Sequence, residues 1–258
     1  SLVAPLAAAH FITLSGGLNA SGIRPLYYVR AVGYALILIL IATQLREPKK
    51  HIDKERRGSR FIEEFRAFLK GEDHLRRWIV VAALTGLPMA MTTPFLQLYA
   101  HEVKGADQYV LGAMSTAMVL ARLIFGVPIG RLADRIGRKK VIYMITPLWY
   151  ASFLLLTFSP NAVSLIIAGA LQTFYSIASG IISAMTLEVV PMSRMGKWSG
   201  ILGLFRGVVT IPAPLIGGLI WRGLGPIYVF LIPVIVDLGV RIPLLSTIPE
   251  TLDLEVPE

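Results

Sequence analysis

Apolar residues fall in eight long runs along this chain. They cover 2–17, 25–45, 78–99, 109–129, 141–158, 162–187, 199–221 and 226–246. A helix of about 20 apolar residues crosses the hydrocarbon core of a bilayer. Seven runs come close to that length. The first is short, as expected of a helix that begins partway along. The pattern predicts an all-α polytopic membrane protein with about eight transmembrane helices.

The polar stretches between the runs set the expected topology. Residues 46–77 form the one long polar segment, with eleven bases and seven acids. Within it Phe61, Ile62, Phe65, Phe68 and Leu69 share one face at helical spacing, and Glu63, Glu64, Arg66 and Lys70 take the other. That spacing predicts an amphipathic helix, lying at the membrane surface or solvated as a linker. Most bases fall in the loops at 46–77, 130–140 and 188–198, and few fall near 18–24, 100–108, 159–161 and 222–225. The excess of Lys and Arg on one side places the linker and the C-terminus in the cytoplasm. The +9 net charge is therefore read as membrane orientation and not as nucleic-acid binding. With 55% hydrophobic and 16% charged residues, the composition lies outside the range of soluble domains.

The most distinctive stretch is Gly130-Arg-Leu-Ala-Asp134-Arg135-Ile-Gly137-Arg138-Lys139, set between two apolar runs and expected to form a loop of about ten residues. It resembles the loop signature of the major facilitator superfamily of secondary transporters. In that family the signature joins helices two and three, and recurs more loosely between helices eight and nine. Two further stretches resemble family patterns. Glu188-Val-Val-Pro-Met-Ser-Arg194-Met-Gly196 is similar to the Glu-x-x-Pro-x-x-x-Arg-Gly pattern after helices four and ten, with Arg194 one position early. Pro249-Glu250-Thr251 is similar to the tripeptide after helices six and twelve. The resemblance implies a latch on the cytoplasmic face. Its acids would be Glu188 and Glu250, its bases Arg131, Arg135, Arg138 and Arg194, within a motif that includes Gly130, Asp134 and Gly137. Solvated charges worth little per pair are the plainer account of the same residues.

Two ends of the chain also echo each other. Ala4-Pro5-Leu6 matches Ala213-Pro214-Leu215, and Pro25-Leu26-Tyr27 matches Pro226-Ile227-Tyr228. A parallel repeat of that kind relates the two six-helix halves of the superfamily. On this register the runs are family helices five to twelve. Residues 1–45 would be the last two helices of the N-terminal half, 46–77 the linker, and 78–258 the complete C-terminal half. Helices one to four of the same transporter are then the missing partner.

Charges within spans are functional candidates because lipid penalises them. Among them are Arg122, Arg206, Asp237 and Arg241, of which the last two sit at i and i+4 and are spaced to pair. Gln172, Tyr175, Ser176, Ser179, Ser183 and Thr186 form a polar stripe on one helix face. Thr85, Met89, Thr92, Leu96 and Tyr99 form a mixed face, with Gln97 to one side. By resemblance these are the cavity-lining helices ten and seven, which makes Gln97, Arg122, Gln172, Tyr175, Ser179 and Arg206 the candidate substrate contacts. Close helix packing uses the same small residues. Pro88, Pro94, Pro212 and Pro214 predict bends.

The functional expectation is secondary active transport of a small solute by alternating access, coupled to protons, in the plasma membrane. Multidrug efflux is the alternative within the class, because Pro214-Leu-Ile-Gly217-Gly218 resembles part of a drug-antiporter motif, although its first glycine is Ala213 here. A non-transporting sensor on the same fold is the other, and would be expected to carry an appended soluble domain, which is not visible along these residues. An enzyme is not expected. The chain has no cysteine, its four histidines are scattered, and it shows no nucleophile–base set, so no metal and no cofactor is expected.

Overall fold

The computed structural model describes residues 4–44, 73–189, 195–248 and 250. The expected amphipathic helix at 61–70 and Arg194 lie outside these residues. Within them the regular structure is all helical: α1 (Ala4–Leu14), α2 (Ala20–Gln44), α3 (Asp73–Leu84), α4 (Leu87–Glu102), α5 (Gln108–Ile136), α6 (Arg138–Phe158), α7 (Ala162–Val189), α8 (Met195–Thr210), α9 (Ala213–Gly223), α10 (Tyr228–Val236), a π-helical turn (Asp237–Arg241) and α11 (Ile242–Ser246). These combine into seven helices long and apolar enough to cross a membrane, with α1 as a shorter apolar helix.

Three spans are interrupted, each for a local reason. Between α3 and α4, Pro88 removes the amide that would bond the Leu84 carbonyl. Gly86 sits at this break with no room for a side chain, since a Cβ there would come within 2.8 Å of Thr210 Cγ2. Between α8 and α9, Pro212 and Pro214 end one helix and start the next. In the last span the Ile242 amide bonds the Asp237 carbonyl five residues back, which makes one π-turn.

Side chains from the turns cap several helices. Asn19 Oδ1 accepts from Gly22 N at 2.7 Å, Asp107 Oδ1 from Val110 N at 2.8 Å, and Asn161 Oδ1 from Ser164 N at 3.0 Å. Each satisfies an orphan amide at the start of a helix.

The expected ten-residue loop at 130–140 is not a loop. Helix α5 runs on to Ile136, α6 begins at Arg138, and Gly137 alone turns the chain. No Gly or Pro interrupts 131–136, and Ala133 packs into the core, so the helix has reason to continue.

α7 is the central helix, packed between α5 and α6, while α8 covers α3, and α9 and α10 cover α4. Gly169 lets α7 close on α5, since a Cβ there would lie 2.8 Å from the Met114 carbonyl oxygen. The core has two parts. One joins Trp78, Ile142, Ile182, Met185, Trp198 and Leu245. The other is rich in aromatics, with Trp149, Phe153, Phe230 and Tyr99 in ring contact. α1 packs on α5, and α2 packs on α1 with Leu36 to Ile41 exposed. Exposed apolar side chains of this density suit a hydrocarbon surrounding.

Candidate functional site

The α5–α6 turn gathers charges from four segments. Arg138 Nη1 lies 2.5 Å from Glu188 Oε2 near the end of α7, and its Nη2 lies 3.3 Å from Asp134 Oδ1 one turn back on α5. Glu250 reaches the same place from beyond α11. Its two carboxylate oxygens accept from the backbone amides of Arg138 and Lys139, each at 3.1 Å. A carboxylate on the first amides of α6 is favoured by the helix dipole as well as by the hydrogen bonds. In return Lys139 Nζ donates to the carbonyls of Ser246 and Ile248 at the end of the last span. One turn thus ties α5, α6, α7 and the end of the last span. Gly137 holds it, with φ +112° and Glu250 Oε2 only 3.1 Å from where a Cβ would be.

Arg131 and Arg135 are exposed, as is Asp134, while Gly130 is half-buried inside α5 with open space around it.

A small cavity opens further along the bundle. Met89, Thr92, Thr93 and Leu96 of α4 form one wall and Met118 of α5 a second. Trp149 of α6 with Gln172 and Tyr175 of α7 closes it. Its polar groups are already bonded inside the chain. Thr92 and Thr93 donate to the carbonyls of Pro88 and Met89. Gln172 accepts from Trp149 Nε1 at 3.1 Å and donates to Ser152 Oγ at 2.7 Å. The Tyr175 hydroxyl donates to the Thr85 carbonyl at 2.7 Å, at the break between α3 and α4. Among the described residues no charged side chain lines this cavity.

The six residues singled out as substrate contacts are not gathered in one place. Gln172 and Tyr175 are in the cavity wall, buried and bonded. Arg122 is exposed on α5, one turn from Met118 on the same face. Gln97 donates to Ser115 Oγ at 2.9 Å, tying α4 to α5. Ser179 is half-buried, outside the cavity lining. Arg206 turns away toward α3. Its Nη2 approaches the Ala82 carbonyl at 3.4 Å and its Nε is buried without a hydrogen-bond partner.

Asp237 and Arg241 form a doubly hydrogen-bonded ion pair, each residue 1% exposed. Tyr150 donates to Asp237 Oδ2 at 2.6 Å, and the guanidinium lies over the Tyr175 ring, 5.5 Å from its centre. Bidentate pairing and the aromatic face are what make a buried guanidinium tolerable in hydrocarbon.

Sequence reasoning missed Trp149, Met118 and Tyr150, and named Lys139 only as part of the loop motif, without its bonds to the end of the last span. The first three are unremarkable in the sequence, and only the packing of helices gives them a role. The aromatic and Met side chains at 149 and 118 carry no motif that would have flagged them.

Seven apolar spans, with a charged tie at one end and a cavity between helices, define a polytopic helical membrane protein. Residues 78–249 match the Major Facilitator Superfamily, so the chain belongs to that family and is an integral membrane protein. It is 27% identical over 145 residues to the inner membrane transport protein YajR of Escherichia coli K12, covering 56% of this chain and 32% of that protein. It is 27% identical over 143 residues to the class B tetracycline resistance protein of Escherichia coli, covering 54% and 35%. It is 25% identical over 228 residues to the multidrug resistance protein MdtG of Escherichia coli strain SMS-3-5, covering 85% and 55%. The chain therefore spans about a third to about half the length of these relatives.

Proposed function

We propose that this chain is helices five to twelve of a secondary active transporter that moves a small solute by alternating access, with proton coupling. The observation that carries the reading is the tie at the α5–α6 turn. The pair Arg138–Glu188, the bond of Arg138 to Asp134, and Glu250 on the α6 amides join helices of the C-terminal half at one end, where the resemblance implies a latch that holds one state of the cycle. The exposed Asp134 adds little to the tie, and the less exposed Arg138–Glu188 pair with the Glu250 bonds carries most of it, a modest bias that does not lock one conformation. In this reading the tie closes the cytoplasmic end, the linker and C-terminus face the cytoplasm, and the protein resides in the cell membrane. Solute binding falls to the α4, α5 and α7 faces. The echo between α1 and α9, both entered through Ala-Pro-Leu, supports the register by parallel repeat.

The intact transporter carrying these residues tests the proposal, reconstituted in liposomes with a trapped pH-sensitive dye. Saturable, solute-dependent proton movement is expected. Arg138→Ala should lower the maximal rate several-fold with the half-saturating concentration less changed. Parental kinetics in Arg138→Ala and in Asp134→Asn together would sink the latch reading.

Multidrug efflux is the second reading. The observation favouring it is a cavity walled by two methionines and two aromatic residues, a surface that adapts to many apolar shapes.

A further inference from the structure

We infer that the cavity between the α4–α5 and α6–α7 turns binds the headgroup of an ethanolamine phospholipid, a phosphate diester joined to a primary ammonium. The inference does not depend on the transport reading, since it concerns the end of the bundle opposite the tie.

Two turns build the site. In the first, Gly105 takes φ +68°, the Ala106 amide bonds the Ala100 carbonyl at 2.9 Å, and His101 Nδ1 bonds the Ala106 carbonyl at 2.8 Å. In the second, Asn161 caps α7. The cavity between them has a volume of about 230 Å³. Lys104, Asp107 and Asn161 line it, above a floor that includes the buried Ala106 and Leu165. Lys104 is half-buried, and Asp107 and Asn161 are exposed, so the cavity is open to a ligand. Both turns join membrane spans, which sets the cavity at the level of the bilayer surface.

Lys104 and Asp107 bring opposite charges to one cavity and are held apart there. Lys104 Nζ donates to the Thr157 carbonyl at the end of α6, which leaves it further protons to donate. Asp107 spends Oδ1 on the Val110 amide, and among the described residues its Oδ2 takes no hydrogen bond and it forms no ion pair. Capping explains only part of this, because Asn or Ser would cap α5 as well as Asp does. A simple anion at Lys104 would meet the Asp107 carboxylate, and a simple cation at Asp107 would meet Lys104. A zwitterion answers both charges at once. Phosphate oxygens take the Lys104 ammonium and the Asn161 amide, and a primary ammonium donates to Asp107 Oδ2. A trimethylammonium has no proton to donate there.

Volume and rim favour a lipid as the source of this zwitterion. Pockets that enclose a drug-sized ligand run from about 300 to 1,000 Å³, so this one takes a headgroup and leaves the rest of the molecule outside. Next to the lining residues in sequence, Val103, Phe158 and Val163 are 46%, 76% and 62% exposed. They offer apolar surface at the depth where acyl chains begin.

The experiment is native mass spectrometry of the purified, delipidated 258-residue chain. It is offered equal amounts of phosphatidylethanolamine, phosphatidylcholine and phosphatidylglycerol with identical acyl chains. The ethanolamine lipid is expected to be retained about fivefold or more over either of the others, as one additional charge-assisted hydrogen bond allows. Asp107→Asn keeps the helix cap and removes the charge. It should lower the ethanolamine lipid to the level of the choline lipid and leave the latter within about twofold. Lys104→Gln should weaken both by about fivefold or more, because both carry the phosphate. Water-soluble glycerophosphoethanolamine supplies the headgroup without the chains and should compete about tenfold or more weakly than the lipid. Equal retention of the three lipids, an ethanolamine preference that survives Asp107→Asn, or binding unmoved by Lys104→Gln would each overturn the inference. Competition by glycerophosphoethanolamine as strong as by the lipid would give the site to a free zwitterion and overturn the lipid assignment.

Discussion

At Gly137 the backbone takes φ +112° and ψ 135°, a conformation other residues resist, and the Glu250 carboxylate crowds the place of a Cβ. Gly137→Ala therefore meets backbone strain and a displaced helix cap at once. A loss of about 1–3 kcal/mol is expected, read as a lower unfolding midpoint in detergent. Gly130 belongs to the same motif but sits inside α5, with nothing within 4 Å of a built Cβ. Gly130→Ala should be neutral or stabilise by up to about 1 kcal/mol, because alanine is the better helix residue. Equal effects of the two substitutions would refute this account of the turn. The motif alone could not separate them, because both glycines read as loop residues there. What distinguishes them is that Ala133 is buried and carries the helix past Gly130. The pairing of Asp237 with Arg241 was legible from i,i+4 spacing alone. That Tyr150 and Tyr175 enclose the pair was not, since it depends on how three helices meet.

Among the elements, the break between α3 and α4 is where a side chain stands in for backbone. Pro88 opens the helix, and no backbone amide among the described residues donates to the Thr85 carbonyl, which takes the Tyr175 hydroxyl instead. The Tyr175 ring lines the cavity while its hydroxyl holds the break, so this residue links cavity shape to helix bend. Tyr175→Phe keeps the ring and removes the donor, leaving a buried carbonyl unsatisfied at a cost of about 1–3 kcal/mol. Amide hydrogen exchange over 84–90 should quicken by about tenfold or more, with exchange over 141–149 unchanged. Uniform quickening in both segments would show a global loss of stability and count against a local clamp. Periodicity and length marked the spans, and Pro88, Pro212 and Pro214 marked two breaks, because both are local properties of the chain, whereas Pro94, also expected to bend its helix, lies inside an uninterrupted α4. The polar stripe on α7 was legible as a stripe, but its division was not. Gln172 and Tyr175 bond neighbouring helices, Thr186 accepts from Trp78 Nε1, and Ser183 is exposed. Which helix faces which part of a stripe is set by tertiary packing, and a single helix does not encode it.

For the whole molecule, a chain without cysteine allows its orientation to be read one site at a time. The tied end and the opposite end are well separated along the bundle, because α6 alone spans 21 residues, about 31 Å. Single cysteines at Lys139 and Lys140 lie at the tied end, and ones at Asn161 and Gly223 at the other. With the basic side inward, an impermeant thiol reagent applied to intact cells should label the second pair and spare the first. Labelling at 139 from outside would reverse the orientation. The same architecture sets what this chain does alone. On the register of helices five to twelve, substrate is held between two halves, and only one complete half is here. Arg122 and the exposed Leu123 and Ile124 of α5 would then face lipid or another chain. An uncompensated guanidinium in hydrocarbon costs a few kcal/mol or more. The chain by itself is therefore expected to self-associate in detergent and to give no saturable uptake in liposomes. Coexpression with a segment supplying helices one to four should restore a monodisperse particle and uptake together. Saturable uptake by the 258-residue chain alone would show that helices one to four are not needed, and the assigned register would then have to be abandoned.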